Sequence, residues 1–306
     1  MRKFILQLLS FTAILIILLF PLVFFKIGGN DLKYIDNPTA SLIDKHKRVE
    51  ALKSPRLIIM GGSNAFYGMN SARISDSLHV NVVNMALFAG FGLDFMLREL
   101  QDNIKKNDVV VLSVEYFLFS DCYAKEDIVR YYPQGKKYLK NNGGPFYEQY
   151  LNAFKVNIES IENFILTPVK RGSAIYVHSR TLNLYGDAVG YLDYKKPAFS
   201  SCEKLVYRRY EGIEKLNRFK DQAEAIGAKV YFTFPPLPVS DYKINHAVIE
   251  HYYSDFRNNL KIPMLCDPAA MVFDDNLFYD SHYHLDKDGR EIRTTRLIAM
   301  LRKQRL

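Results

Sequence analysis

From Phe4 to Phe25 the chain reads FILQLLSFTAILIILLFPLVFF, about 22 residues without a charge, set between Arg2 and Lys3 on one side and Lys26 on the other. A helix of that length, rising about 1.5 Å per residue, crosses a hydrocarbon layer of about 30 Å. A secretory signal peptide is the rival reading, but it has a shorter apolar stretch followed by small residues. Here Phe24, Phe25, Lys26 and Ile27 follow, so residues 1–27 are expected to be an uncleaved transmembrane anchor. Arg2 and Lys3 favour a cytoplasmic N-terminus, which places the rest of the chain in the periplasm or outside the cell. NAD and ATP are not freely supplied there, and no Walker loop or dinucleotide fingerprint occurs, so kinase and dehydrogenase chemistry is disfavoured and no cofactor is expected.

The balance of 48% hydrophobic and 24% charged residues is that of an ordinary globular protein, and 306 residues less an anchor suit one sizeable domain. The net charge of +8 raises the question of nucleic acid. Acidic and basic residues are interleaved, however, and no reader motif accompanies them, so no nucleic-acid partner is expected. The basic surplus lies at Lys45 to Arg48 and Arg302 to Arg305; attraction to anionic lipid heads accounts for the first cluster. Cys122, Cys202 and Cys266 include no CxxC pair, which excludes a zinc ribbon or a thioredoxin-type motif. A Cys122–Cys202 bridge would tie the ends of the insertion described below, and buried free thiols are the alternative.

Residues 28–54 read as a polar tether. Arg56 to Met60 (RLIIM) is a short apolar run entering Gly61 and Gly62, which reads as a buried strand ending in a turn. Asn81 to Ala86 and Asp108 to Val114 are further strands, with a helix at Leu93 to Ile104 between them. The pattern lapses near Ser120 and resumes near Glu203, leaving an insertion at about 120–202. From Val206, apolar or aromatic residues recur at Tyr210, Ile213, Leu216, Phe219, Ala223 and Ile226 on one helix face, Lys229 to Phe234 is a strand, and a helix surrounds His246 to Leu260. Met264 to Cys266 is a candidate last strand, and Gly289 to Lys303 the final helix. This alternation implies an α/β fold, a three-layer α/β/α sandwich on a parallel sheet spanning residues 55–306. Ligands of such sheets bind beyond the carboxyl ends of the strands, where Ser63 stands.

Two segments carry chemistry. In Gly61-Gly62-Ser63-Asn64, paired glycines let the chain turn after a strand and present a small nucleophile, with main-chain N–H groups to hold an oxyanion. In Asp280-Ser281-His282-Tyr283-His284, a general base and its carboxylate occupy one loop. A serine hydroxyl is a poor nucleophile near neutral pH. It needs an imidazole to take its proton, and the imidazole needs a carboxylate to fix its tautomer and stabilise its charge.

Together these segments resemble the SGNH hydrolase superfamily, also called GDSL-type esterases, whose sheet is flavodoxin-like. In that family a Ser in a Gly-x-Ser turn pairs with a C-terminal Asp and His. Asp280, His284-Leu285 and Gly289 are similar to its closing motif, with the Asp four before the His, as in some membrane-anchored polysaccharide-modifying relatives. The resemblance implies Ser63 as nucleophile, His284 rather than His282 as base, and Asp280 as its partner. It also implies oxyanion or substrate contacts from Gly90, Asn64 and the third-block position. That position holds Glu115 in place of an Asn, and a Glu donates a hydrogen bond only when protonated. The implied reaction is ester hydrolysis or acyl transfer, acetyl for choice, on cell-envelope glycans, with a membrane O-acyltransferase as a partner.

Two other readings compete. Asp280, His282 and His284 alternate and would share one face of an extended loop, as a metal site requires, but no further ligand pair is evident and no metal is expected. A non-catalytic polysaccharide-binding protein on the same scaffold would suit the 21 tyrosines. It would have no need of a Ser, an Asp and a His at the ends of such a fold.

Overall fold

The computed structural model describes residues 2–24, 38–116, 122–140, 182–197, 204–208 and 211–305, with isolated residues 154 and 158. Its ten helices among these are α1 (Arg2–Phe24), α2 (Ser41–Ala51), α3 (Ser63–Tyr67), α4 (Ser71–Leu78), α5 (Gly92–Asn103), α6 (Lys125–Tyr131), α7 (Gly212–Ala225), α8 (Val239–Ile244), α9 (His246–Asn259) and α10 (Lys287–Lys303). The strands are β1 (Arg56–Gly61), β2 (Asn81–Asn84), β3 (Val109–Ser113), β4 (Lys229–Phe232), β5 (Leu237–Pro238) and β6 (Val272–Phe273).

The first four strands form one parallel sheet in the order β2-β1-β3-β4, with Leu57 beside both Asn81's neighbour Val82 and Val109. Both faces are covered, which is why these strands read as continuous apolar runs instead of alternating ones. Ile58, Met60, Val110 and Leu112 face a core shared with α2, α5, α7 and α9. Leu57, Ile59, Val109 and Val111 face the opposite way, against α3, α4 and α10. The chain is therefore a three-layer α/β/α sandwich, as expected. Met264 adds only a single parallel bridge, to Phe232, so the expected last strand is reduced to one pairing. The helix α1 is long and apolar enough to cross a membrane.

The segment expected to be a tether differs. Its residues 41–51 form α2, which buries Leu42, Lys45, His46 and Val49. The Lys45-to-Arg48 cluster, expected to face lipid heads, is thereby divided by helical geometry: one face turns inward and only Lys47 stands well exposed. Lys45 Nζ donates to the carbonyls of Asn84 (2.8 Å) and Gly186 (2.6 Å) and lies 4.3 Å from the Phe66 ring centroid. His46 Nε2 pairs with the buried Glu99 at 2.8 Å. Arg48 donates to Val82 O and stacks on Tyr185.

Burial lowers the Lys45 pKa to about 7, against the pull of Asp187 and Glu99 in the other direction. Because the unfolded chain holds the proton more tightly, stability rises with pH from about 7 toward the ordinary lysine value and is lost on the way back down. Denaturant titrations at pH 7 and pH 9 are expected to differ by about 2 kcal/mol in favour of pH 9, a difference absent from Lys45→Met.

Of the proposed insertion at 120–202, the described parts pack on the sandwich. Asp187 is buried and accepts from Ser71 N, Ser71 Oγ, Asn84 Nδ2 and Arg290 Nη2. Cys122 and Cys266 are free thiols; Cys202, the other half of the bridge considered above, lies outside the described residues.

Candidate active site

The turn after β1 is shaped by close approach. Gly61 pairs with Ser113 of β3, and a Cβ there would fall 1.8 Å from the Ser113 carbonyl oxygen. A Cβ on Gly62 would fall 2.1 and 2.3 Å from the two carboxyl oxygens of Glu115. Gly62 has φ −82°, open to any residue, so space rather than left-handed backbone demands glycine here. Ser63 then opens α3 and is half-buried.

Asn64, next in the chain, is gripped on every polar group. Its N–H donates to Glu115 Oε1 (3.0 Å), and its side-chain amide donates to Ser113 O (2.9 Å). Its carbonyl accepts from Arg293 Nη1 (2.6 Å), and its Oδ1 accepts from Arg293 Nη2 and from Ser113 Oγ, both at 2.8 Å. Burial lowers the Arg293 pKa to about 9, which leaves the guanidinium cationic at neutral pH. Burial also raises the Glu115 pKa, although the Asn64 hydrogen bonds and the charge of His284 pull it down. Glu115 Oε2 is buried without a partner. Asn64 and Glu115, expected at the substrate, are thus placed beneath the turn: both are buried, and their contacts hold Ser63's neighbour in position.

Gly90 lies in a 3-10 turn, Ala89–Phe91, reached by a chain that leaves β2 alongside β1 through Met85 N to Ile59 O and Leu87 N to Gly61 O. Its carbonyl accepts from Tyr123 and Ala124. The turn therefore stands at the same carboxyl edge of the sheet as Ser63.

The C-terminal loop is a small hairpin. Phe278 and Leu285 form an antiparallel bridge, Tyr279 N donates to His284 O (2.8 Å), and His284 N closes on Ser281 O (3.3 Å). At its end Asp286 caps α10 by accepting from Gly289 N. His284 Nδ1 and Asp280 Oδ1 are 2.7 Å apart, with the imidazole side chain 18% and the carboxylate 41% exposed. The imidazole stacks on Tyr67, centroid to centroid 4.3 Å. Tyr67 ends α3 one turn after Ser63, so the two distant segments meet. Tyr191 fastens them, its hydroxyl placed 2.8 Å from both Tyr67 O and Leu285 O. Burial, with Asp280 and Tyr279 adding to it, raises the Tyr67 pKa, keeping the phenol neutral.

His282 does not join Asp280 and His284 on one face, as a metal site would need. Its Nδ1 pairs with Asp241 instead. Among the described residues no group of three or more His, Cys, Asp or Glu side chains could hold a metal ion. Sequence reasoning missed Arg293, Asp241, Tyr67 and Tyr191. Arg293 had a signal: it stands four and eight before Leu297 and Leu301, on the buried stripe of α10.

No family model matches the chain, and no curated protein does either. Among solved structures it is similar to a Desulfitobacterium hafniense protein assigned to the G-D-S-L family of lipolytic proteins, at 10% identity and a TM-score of 0.36, over 81% of this chain and 99% of that one. It is also similar to the Bacillus subtilis protein YXIM, at 12% identity and a TM-score of 0.35, over 83% of this chain and 58% of that one.

Proposed function

We propose that the chain is a membrane-anchored, serine-dependent ester hydrolase or O-acyltransferase, with Ser63 as nucleophile, His284 as base and Asp280 as the carboxylate that orients it. One observation carries this reading: an imidazole bonded through Nδ1 to a carboxylate is stacked one helical turn from a serine at a strand's carboxyl end. With the proton held on Nδ1, the lone pair of His284 resides on Nε2, the tautomer a general base requires. Ser63 Oγ attacks the ester carbonyl carbon while His284 takes its proton. The N–H groups of Ser63 and Gly90 receive the oxyanion, and the leaving alcohol departs with the proton from His284. A water or sugar hydroxyl then opens the acyl-enzyme by the reverse route, restoring the Ser63 hydroxyl.

The helix α1 supports an anchored enzyme with its N-terminus in the cytoplasm and its site facing the periplasm or the cell exterior. Acyl esters of envelope glycans, acetyl in particular, suit that place, as does an acyl supply from a membrane O-acyltransferase. The half-buried rings of Tyr67 and Tyr279, packed on either side of the buried Tyr191 with centroids 5.0 Å from it, favour a second reading, a sugar-binding protein without catalysis. Fluorophosphonate treatment of the full chain in detergent separates the two. Covalent labelling is expected at Ser63 and in neither Ser63→Ala nor His284→Ala; a wild-type chain that takes no label removes the enzyme reading.

A further inference from the structure

Two ionisable side chains are buried beneath the Ser63 turn with Asn64 between them. Arg293 is 0% exposed and Glu115 1%. Opposite charges are tolerated out of water when they bond each other directly. These two reach Asn64 instead: Arg293 donates to Asn64 O, Asn64 Oδ1 and Ser113 Oγ, all neutral acceptors, while Glu115 Oε1 accepts from Asn64 N. Glu115 Oε2 is buried without a hydrogen-bond partner. A buried carboxyl with one N–H donor and one bare oxygen favours its neutral form. Burial raises its pKa accordingly, and with Oε1 engaged as an acceptor the proton belongs on Oε2.

This carboxyl touches the turn on both sides of the nucleophile. It lies 3.0 Å from Asn64 N, and against Gly62, where an added Cβ would meet its two oxygens at 2.1 and 2.3 Å. The bond to Oε1 withdraws the Asn64 N–H from any anion, so the donor left to the turn is the Ser63 N–H, one peptide earlier. That N–H works within one residue of whatever charge the buried pair carries. With Glu115 neutral, the charge of Arg293 is uncompensated beneath the turn. With Glu115 ionised it is cancelled, and the negative partner is the one in contact with Gly62 and Asn64. The other groups facing the pair are the His284 imidazole, whose charge an ionised Glu115 attracts, and Cys266 beside Arg293, a thiol that burial keeps protonated.

We infer that Glu115 is the protonation gate of the oxyanion site: neutral, it leaves the Arg293 charge free to favour an anion on the Ser63 N–H, and ionised, it cancels that charge and repels the anion; this rests on the serine acyl-enzyme reading above. Glu115 is thus a positioning residue, acting through the turn without touching substrate. The sign follows from its being an acid. The site works while the Glu115 proton is on and fails as rising pH removes it.

The test uses the full chain in detergent with p-nitrophenyl acetate, the Ser63→Ala rate being subtracted at each pH. Its kcat/KM covers the steps up to acylation and reports ionisations of the free protein. Scans run from about pH 5 to about pH 8.5, short of the Arg293 value of about 9. The wild type is expected to rise first, because a general base must lose its proton to work, and then to fall about tenfold or more as Glu115 ionises. Glu115→Gln keeps a neutral group of the same shape and is expected to rise and stay level, whatever its own maximum. Glu115→Asp serves where the first variant fails to fold, and is expected to keep the fall but at a shifted pH. Circular dichroism at each pH restricts the rates to folded protein. A wild type that stays level, or a fall that stands unmoved in either variant, overturns the inference and leaves the serine reading standing. Absence of Ser63-dependent nitrophenol release at every pH overturns the serine reading itself, and this inference with it.

Discussion

Replacing His284 with alanine is expected to lower Ser63-dependent acetyl-ester hydrolysis by about 10³- to 10⁴-fold, and replacing Asp280 with asparagine by only about 10- to 100-fold. The first figure follows from the role of a base, without which the hydroxyl must lose its proton to water. The second is smaller for a reason visible in the site. Where the carboxylate of such a triad is buried, an asparagine forces the wrong tautomer and costs about 10⁴. Asp280 is 41% exposed, so water can take its place beside Nδ1, and the stack on Tyr67 holds the ring in plane without it. A double variant lacking both Ser63 and His284 is expected to be no slower than Ser63→Ala alone, since the two act as one unit. Initial rates of nitrophenol release measure all four. A fall for Asp280→Asn equal to that for His284→Ala would mean that the carboxylate alone sets the imidazole's tautomer and that the Tyr67 stack contributes nothing.

The sheet was legible in the sequence because a fully covered parallel strand is an uninterrupted apolar run. Arg56 to Met60 and Asp108 to Val114 match β1 and β3 to within a residue at each end. The helix α7 was legible from its three-and-four spacing, and α5 and α10 fall where helices were expected, at Leu93 to Ile104 and Gly289 to Lys303. The two candidate motifs were legible singly, since each local pattern, a glycine-flanked serine after a strand and an Asp four before a His, has a chemical reason of its own; the structure pairs Asp280 with His284 and stacks His284 on Tyr67. What was not legible depends on partners far along the chain. Arg293 shares the stripe of Leu297 and Leu301, but nothing local names the group it bonds, Asn64, 229 positions away. Lys45 reads as part of a basic cluster until helical rotation turns it inward under Asn84 and Gly186. Asp241 and His282 lie 41 positions apart with nothing local to relate them. The glycines of the turn show the same limit, for the sequence suggested conformational freedom and the structure assigns them to close approach.

That last distinction makes Gly61→Ala and Gly62→Ala behave differently, although both add one methyl group to the same turn. At Gly61 the obstacle is the Ser113 main-chain oxygen, 1.8 Å from the added carbon and fixed by the β1–β3 register. No side-chain truncation relieves it, and a loss of about 3 kcal/mol or more, with no compensating second change, is expected. At Gly62 the obstacle is the Glu115 carboxyl, a side-chain end that is nonetheless buried and bonded to Asn64 N. Gly62→Ala alone is expected to cost about 2 kcal/mol, and Glu115→Ala alone about 1 to 3 kcal/mol, because it leaves the Asn64 N–H unpaired and opens a void. Combined, they should cost less than their sum by about 1 kcal/mol or more, since truncating Glu115 makes room for the new methyl. Urea unfolding of the four proteins closes the cycle. Strictly additive costs would show that Glu115 swings aside freely, and with that the account of Asn64 as a residue clamped between Glu115 and Arg293 to hold the Ser63 turn would lose its lower jaw.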